Sequence, residues 1–378
     1  MGAERWNDAF LDQMRKVADP LADDLIQETF NLKGREGLYQ LNLFLQNWTA
    51  EDSPDLTPGV RAFLKAPVHY PPWVDLARIR DADRLFYNYG IVVILVLFMR
   101  SLPQFMANAD ADHVFARANL FNPKTVKRFM IEIAQLIFDV VKPGALRVEP
   151  DKGPGTFALQ KLRLHHSIIR FEMFHHRSLT ERTPWDPAWG EPINQEDLAC
   201  AVLAFSLYNI DGFKKLRLGL TGKEEEATLE AWKVTGFLLG LSEELQVADM
   251  REGRQLLAAI GRRQFHSSPQ GTKLVRQLLG VVESFLPWYL RGVPVVVMRY
   301  LMDPEFVILL KVPRAYGPTW LVIWILQLFA KDTALQKVLE WISAKFLQGL
   351  VSEKTKKDRQ GNRGNFRLPD EVAARLKA

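Results

Sequence analysis

Apolar residues recur at three- and four-residue spacing along almost the whole chain. VKRFMIEIAQLIFDVV (126–141) and TLEAWKVTGFLLGLSEEL (228–245) are the clearest cases, and the spacing predicts amphipathic helices. Strict alternation over strand length is hard to find, and no Asn-Gly or Asp-Gly turn joins two such runs. GVPVVVM (292–298) is the one ambiguous stretch: it reads as a strand or, after Pro294, as a buried helix. Helix stops fall at Lys142-Pro143-Gly144, at Gly153-Pro154-Gly155 and around Pro184–Pro192. Asn194 or Asp197 can cap the helix that begins near 195. The pattern predicts an all-α fold, with one helical domain over 1–350 and a polar, basic tail over 351–378.

Composition narrows the chemistry. Of 378 residues, 48% are hydrophobic and 25% charged, a globular balance that argues against disorder. The single cysteine, Cys200, excludes an internal disulfide framework, a cysteine-rich zinc module and a thiolate-held iron–sulfur cluster. Net charge is +5, but residues 351–378 hold 8 Lys/Arg against 4 Asp/Glu, so the body offers no basic face for nucleic acid. The N-terminus, MGAERWNDAFLDQMRKVADPLADD, carries no export signal, which predicts a cytoplasmic location. Ile91–Met99 and Trp320–Ala330 are apolar but fall short of the roughly 20 residues that span a bilayer. Burial in a large core explains them, and a peripheral membrane contact is the other reading. No phosphate-binding glycine loop, dinucleotide fingerprint, His-Glu-x-x-His pair or Gly-x-Ser-x-Gly elbow is present.

Histidine is what remains, with four of the seven in KLRLHHSIIRFEMFHH (161–176). On a helix Arg163, His166 and Arg170 fall within about 60° of arc, and His165 points away. Two neighbouring guanidiniums disfavour imidazolium, so His166 is expected to stay neutral, the form that binds metal. The arginines can pair with anionic groups of a cofactor or with acidic side chains. A hydrogen-bonded core histidine with salt-bridged arginines fits the same residues.

The Arg-x-x-His-x-x-x-Arg helix resembles that of the latex clearing proteins, or rubber oxygenases, whose catalytic domain is shared with the MpaB oxygenases. Further segments are similar in order: WGEPINQEDLACAVLAFS (189–206), AWKVTGFLLGLSEEL (231–245), RRQFHSSPQGTKLVRQLLGVVESFLP (262–287), and the terminal VADPLADD (17–24) and NFRLPDEV (365–372). The resemblance implies a globin-like helical core with extra surrounding helices, holding haem b. It also implies dioxygen-dependent cleavage or oxidation of a carbon–carbon double bond in an isoprenoid or another unsaturated hydrophobic substrate. His166 would then be the iron ligand, with Arg163 and Arg170 supporting the cofactor site.

One helix departs from the family. Where the family carries an arginine and a polar pair ending in Thr, sometimes with Lys before it, this chain reads KRFMIEIAQLIFDVV (127–141). Two registers centred on Arg128 or on Ala134-Gln135 both lose the Lys and Thr, and both leave Glu132 as the polar candidate. Glu132 could accept a proton from an allylic carbon, or simply pair with Arg128 one turn away. The family's upstream glutamate has no secure counterpart among Asp110, Asp112 and His113. An apolar tunnel lined by Phe129, Ile133, Phe205 and Phe237 is expected to suit a smaller isoprenoid or unsaturated lipid. A haem- or lipid-binding helical protein without oxygenase turnover is the alternative.

Overall fold

The computed structural model describes residues 5–46, 52–117, 123–148, 152–175, 185–316, 319–331 and 376. Among these residues the fold is all-α, as the periodicity predicts; a lone bridge between Asn108 and Phe265 is the only extended pairing. Apart from Leu376, the predicted tail lies outside the described residues, as does His176.

The chain opens with α1 (Asp8–Met14), α2 (Pro20–Gln46), α3 (Pro58–Lys65) and α4 (Leu76–Val96). A π-helical turn, Leu97–Ser101, carries α4 into the short α5 (Leu102–Phe105). Then come α6 (Asp112–Arg117), α7 (Pro123–Val141) and α8 (Pro154–His175). The second half comprises α9 (Gln195–Lys215), α10 (Gly222–Leu238), α11 (Met250–Gln264) and α12 (Pro269–Ser284). Three shorter helices follow, α13 (Val293–Leu301), α14 (Pro304–Leu309) and α15 (Thr319–Lys331).

Local chemistry sets the helix ends. Asn7, Asp75, Asp249 and Ser268 each accept a bond from a backbone N–H of the turn they precede. Thr221 and Glu224 close a capping box on α10. GVPVVVM resolves as helix, because Pro294 sits in the first turn of α13, where its missing N–H costs nothing. Asn194 caps α9 by accepting from the Asp197 N–H at 3.0 Å, which leaves the Asp197 carboxylate for other partners. No single helix among the described residues is long and apolar enough to cross a membrane. Val93, Val96, Leu97 and Met99 of the first apolar run are buried in the core.

The central element is α9, which is buried on nearly every side and packs on α4, α10, α11 and the π turn. Its crossing with α4 is close enough to require glycine: a Cβ on Gly212 would lie 2.2 Å from Val96 Cγ1. α8 lies against α2, α7 and α10. The chain between α1 and α2 is fastened to the start of α9 through Glu191 and Gln195, whose N–H groups donate to the Arg15 and Val17 carbonyls at 2.7 and 2.9 Å. Gly190 makes this contact in the left-handed region (φ 73°), and a Cβ there would meet the Arg15 carbonyl at 2.6 Å.

Behind that contact Arg15 is buried among three carboxylates. It reaches Asp110 at 2.9 Å, Glu196 at 3.1 Å and Asp197 at 3.5 Å. Arg263 adds a second cation, 3.1 Å from Glu196. Removing the central cation strands charge where water cannot replace it. Arg15→Met should therefore destabilise the fold by about 3–5 kcal/mol. The loss should be larger at pH 8 than at pH 5, because Glu196 and Asp197, which burial already pushes up, relieve the stranded charge by protonating as pH falls. Denaturant melts at the two pH values measure both effects.

Candidate functional site

α5, α6, α7, α8, α9 and α10 surround a cavity of about 220 Å³. Helical spacing accounts for its walls. Phe129, Ile133, Leu136 and Val140 face it from successive turns of α7; Leu159, Leu162, His166 and Ile169 do so from α8. α9 adds Leu198, Ala201, Val202 and Phe205, and α10 adds Trp232 and Thr235. The rings of Phe205 and Trp232 stack with centroids 5.3 Å apart, and Phe129 meets Phe115 edge-on at 5.9 Å.

Besides Trp232, three residues with polar side chains contribute to this lining: His166, Asp197 and Thr235. The Thr235 hydroxyl is occupied, donating to the Ala231 carbonyl at 2.9 Å. Asp197 is occupied as well. Its Oδ1 accepts from Asn108 Nδ2 at 3.0 Å and its Oδ2 from Asn194 Nδ2 at 2.8 Å. Burial still pushes Asp197 up to about 6, against the lowering influence of Arg15 and Asn108. His166 is different. Among the described residues no protein group hydrogen-bonds its ring nitrogens. Burial, aided by the charge of Arg170 and opposed by Asp19, pushes its imidazole down to about 3. The ring is neutral and open to the cavity.

The expected separation of the two adjacent histidines holds in space. His165 is fully buried away from the cavity lining, and burial pushes it down to about 3 as well. Arg163 and Arg170 do not line the cavity. Arg163 Nη2 donates to Asp19 Oδ1 at 2.7 Å, and Arg170 Nε to Asp23 Oδ1 at 2.8 Å. Ser167 Oγ also donates to Asp23, at 2.6 Å. Both guanidiniums thus brace α8 against α2 from behind the histidine, and the acidic side chains that receive them come from VADPLADD.

Glu132 is buried and lies beside the wall rather than in it, with Oε1 3.6 Å from Arg128 Nε. Phe129, Ile133 and Phe205 line the cavity as expected. Phe237 does not: it packs edge-on against Trp73 with centroids 6.2 Å apart, on another side of α10. Of the unresolved upstream trio, Asp110 belongs to Arg15, and Asp112 accepts from Ser268 Oγ at 2.6 Å. His113 stacks on Trp189 at 3.6 Å. Their neighbours Ala111, Val114 and Phe115 are the residues that reach the cavity. Sequence reading missed the carboxylate of Asp197 as a wall group. Its position one turn before Ala201 and two before Phe205 was the available signal.

A family model described as the ER-bound oxygenase mpaB/B'/Rubber oxygenase catalytic domain matches residues 83–331, a span that contains every cavity-lining residue. The Rubber oxygenase of Streptomyces sp. (strain K30) is 24% identical over 256 residues, 64% of this chain. The chain spans 58% of that relative's length. The solved structure of Latex Clearing Protein LCP in the closed state superposes with a TM-score of 0.66 at 18% identity. That superposition covers 94% of this chain and 95% of the other, a likeness of fold.

If the cavity is a ligand site, filling it should block binding without unfolding the helices. Ala201→Phe places a ring in the space from α9. It should leave the melting temperature unchanged or raised and weaken binding of an apolar fluorescent dye by about tenfold or more. Equal dye affinity in parent and variant would place the dye elsewhere.

Proposed function

Because the chain belongs to the MpaB and rubber oxygenase catalytic-domain family, we propose that it is a haem b-dependent oxygenase. Its reaction is dioxygen-dependent cleavage or oxidation of a carbon–carbon double bond in an isoprenoid or other unsaturated hydrophobic substrate. The observation that carries the reading is the neutral, unbonded imidazole of His166 in an otherwise apolar cavity. Among the described residues no group of three or more His, Cys, Asp or Glu side chains is placed to hold a metal ion, so a bare ion would lack a protein cage. One imidazole with aliphatic and aromatic walls suits an iron that brings its own apolar macrocycle. When bound, that group supplies dioxygen activation.

The remaining roles belong to this chain's residues. His166 offers a ring nitrogen to the iron, and its low proton affinity keeps that nitrogen available across physiological pH. Arg163 and Arg170, held by Asp19 and Asp23, fix the rotation of α8 and with it the aim of the imidazole. Phe105, Phe129 and Phe205 exclude water and accept an apolar chain. Glu132 is the proposed base: one position from the wall residue Ile133, it would turn inward to take a proton from an allylic carbon. Arg128 Nε stands 3.6 Å from its Oε1 as the neighbouring opposite charge. Residues 1–350 act as one domain in this reading, with 351–378 as an appended basic tail.

Two substitutions test the assignment separately. His166→Ala should lose the Soret band and most bound haem, whereas His165→Ala should retain both; normal haem content in His166→Ala sinks the ligand assignment. Glu132→Gln keeps shape and removes basicity, so it should bind haem normally. Its oxygen consumption with an isoprenoid alkene should fall about tenfold or more, equivalent to at least ~1.4 kcal/mol of barrier. Turnover at the parent rate would leave Glu132 as half of a helix ion pair.

A further inference from the structure

The second apolar run behaves unlike the first. Where Val92, Val93, Val96, Leu97 and Met99 of the first run are buried, Trp320, Trp324 and Leu328 form an outward stripe on α15, at exposures of 70%, 54% and 42%. They are not isolated. Trp288 and Tyr289 lie 80% and 66% exposed in the turn before α13, and Tyr316, just before α15, is 84% exposed. Nine of the sixteen exposed large hydrophobic side chains among the described residues fall between 288 and 328, including every exposed tryptophan.

These side chains project from a folded support. Arg299 of α13 donates to the Val312 carbonyl at 3.1 Å, and Gln327 of α15 donates to the Tyr300 hydroxyl at 2.9 Å. Val322 packs on the main core from the other side of α15. The aromatic face is therefore built onto the body and not left by an unfolded end. Exposed tryptophan and tyrosine in such numbers are costly in water and favourable at a lipid headgroup boundary, where the ring is half immersed and its polar edge stays wet.

Charge names the occupant. Residues 286–378 hold 15 Lys/Arg and 8 Asp/Glu, whereas the full chain has 49 and 44. The C-terminal quarter is thus +7, and everything before it is −2. Within the aromatic stretch Arg291, Arg299, Lys311 and Arg314 are exposed. Its acidic residues are Asp303 and Glu305, and Asp303 is engaged by Arg100 at 2.7 Å. Exposed aromatics interspersed with four exposed cations, against an exposed Glu305 and a Glu283 beside Arg291, leave a net positive stretch that complements an anionic membrane surface.

We propose that the exposed aromatic side chains of this stretch, Trp320 and Trp324 on α15 together with Trp288, Tyr289 and Tyr316 before it, dock the protein on the surface of a bilayer containing anionic lipid, without spanning it. The proposal is independent of the haem reading and survives its failure.

The test uses the full-length chain and sedimentation with vesicles of phosphatidylcholine, with and without phosphatidylserine. Binding should be about tenfold or more tighter to the anionic vesicles and should weaken with salt. Lipids brominated on the acyl chain should quench tryptophan fluorescence on binding. Trp320→Ser with Trp324→Ser should reduce binding about tenfold or more while the far-ultraviolet circular dichroism is unchanged. Trp288→Ser with Tyr289→Ser provides a second variant should the first lose its fold. Absence of binding to both vesicle types overturns the proposal, as does binding that neither variant weakens. Sedimentation velocity in lipid-free buffer covers the competing occupant: a dimer that Trp320→Ser with Trp324→Ser dissociates, with no vesicle binding, makes the face a protein interface. Binding that requires removal of residues 332–378 assigns the face to this chain's own C-terminal segment and equally overturns it.

Discussion

The ion pairs between α8 and the first turn of α2 govern the cavity. Arg163 reaches Asp19, and Arg170 with Ser167 reaches Asp23. Burying two guanidiniums beside an imidazole is unfavourable unless each has its own counter-charge, because the low-dielectric interior magnifies every unmatched interaction. With the carboxylates in place, α8 is held at one rotation. That rotation turns Leu162, His166 and Ile169 to the cavity and keeps His165 out of it. The residual positive field of Arg170, added to burial, keeps His166 neutral.

A second network holds the opposite wall under tension. Arg15 sits among Asp110, Glu196 and Asp197, with Arg263 beyond Glu196. Two guanidiniums do not fully repay the desolvation of these carboxylates: burial pushes Glu196 up, and Asp197 rises to about 6. Asp197 therefore stands near its protonation midpoint at mildly acidic pH, with two amides fixing its oxygens. A hydrophobic residue would be simpler to pack there. A carboxylate in a cavity wall is the sort of local conflict that accompanies binding and chemistry rather than stability.

The cavity and the exposed aromatic side chains of 288–328 both present apolar surface, in different physical settings. Inside, rings and aliphatic side chains form the walls, leaving the imidazole of His166, without a hydrogen-bond partner among the described residues, as the directional group. Outside, Trp320 and Trp324 project from a helix tied to its neighbour by Gln327, with exposed cations in the same stretch, the kind of surface that favours a boundary between oil and water.

Much of this was legible before folding was considered. All-helical architecture follows from the three- and four-residue spacing. The neutral state of His166 is expected from two flanking arginines, whereas burial is its main cause and Arg170 alone of the two adds to it. The same spacing put Phe129 and Ile133 on one face of α7, because helix geometry relates neighbours by local rules that hold in any surroundings. Partners and facing directions were not legible. The sequence left Arg163 open to an anionic cofactor group or an acidic side chain, and could not name Asp19, which stands 144 residues away. Phe237 and Phe205 read alike as apolar helix residues, yet one packs on Trp73 and the other lines the cavity. Asp197 read as a helix cap until Asn194 took that role and its carboxylate was drawn to Arg15 and the wall. Periodicity specifies which residues share a face; it carries no information on what lies opposite that face, which only the long-range packing of the helices supplies.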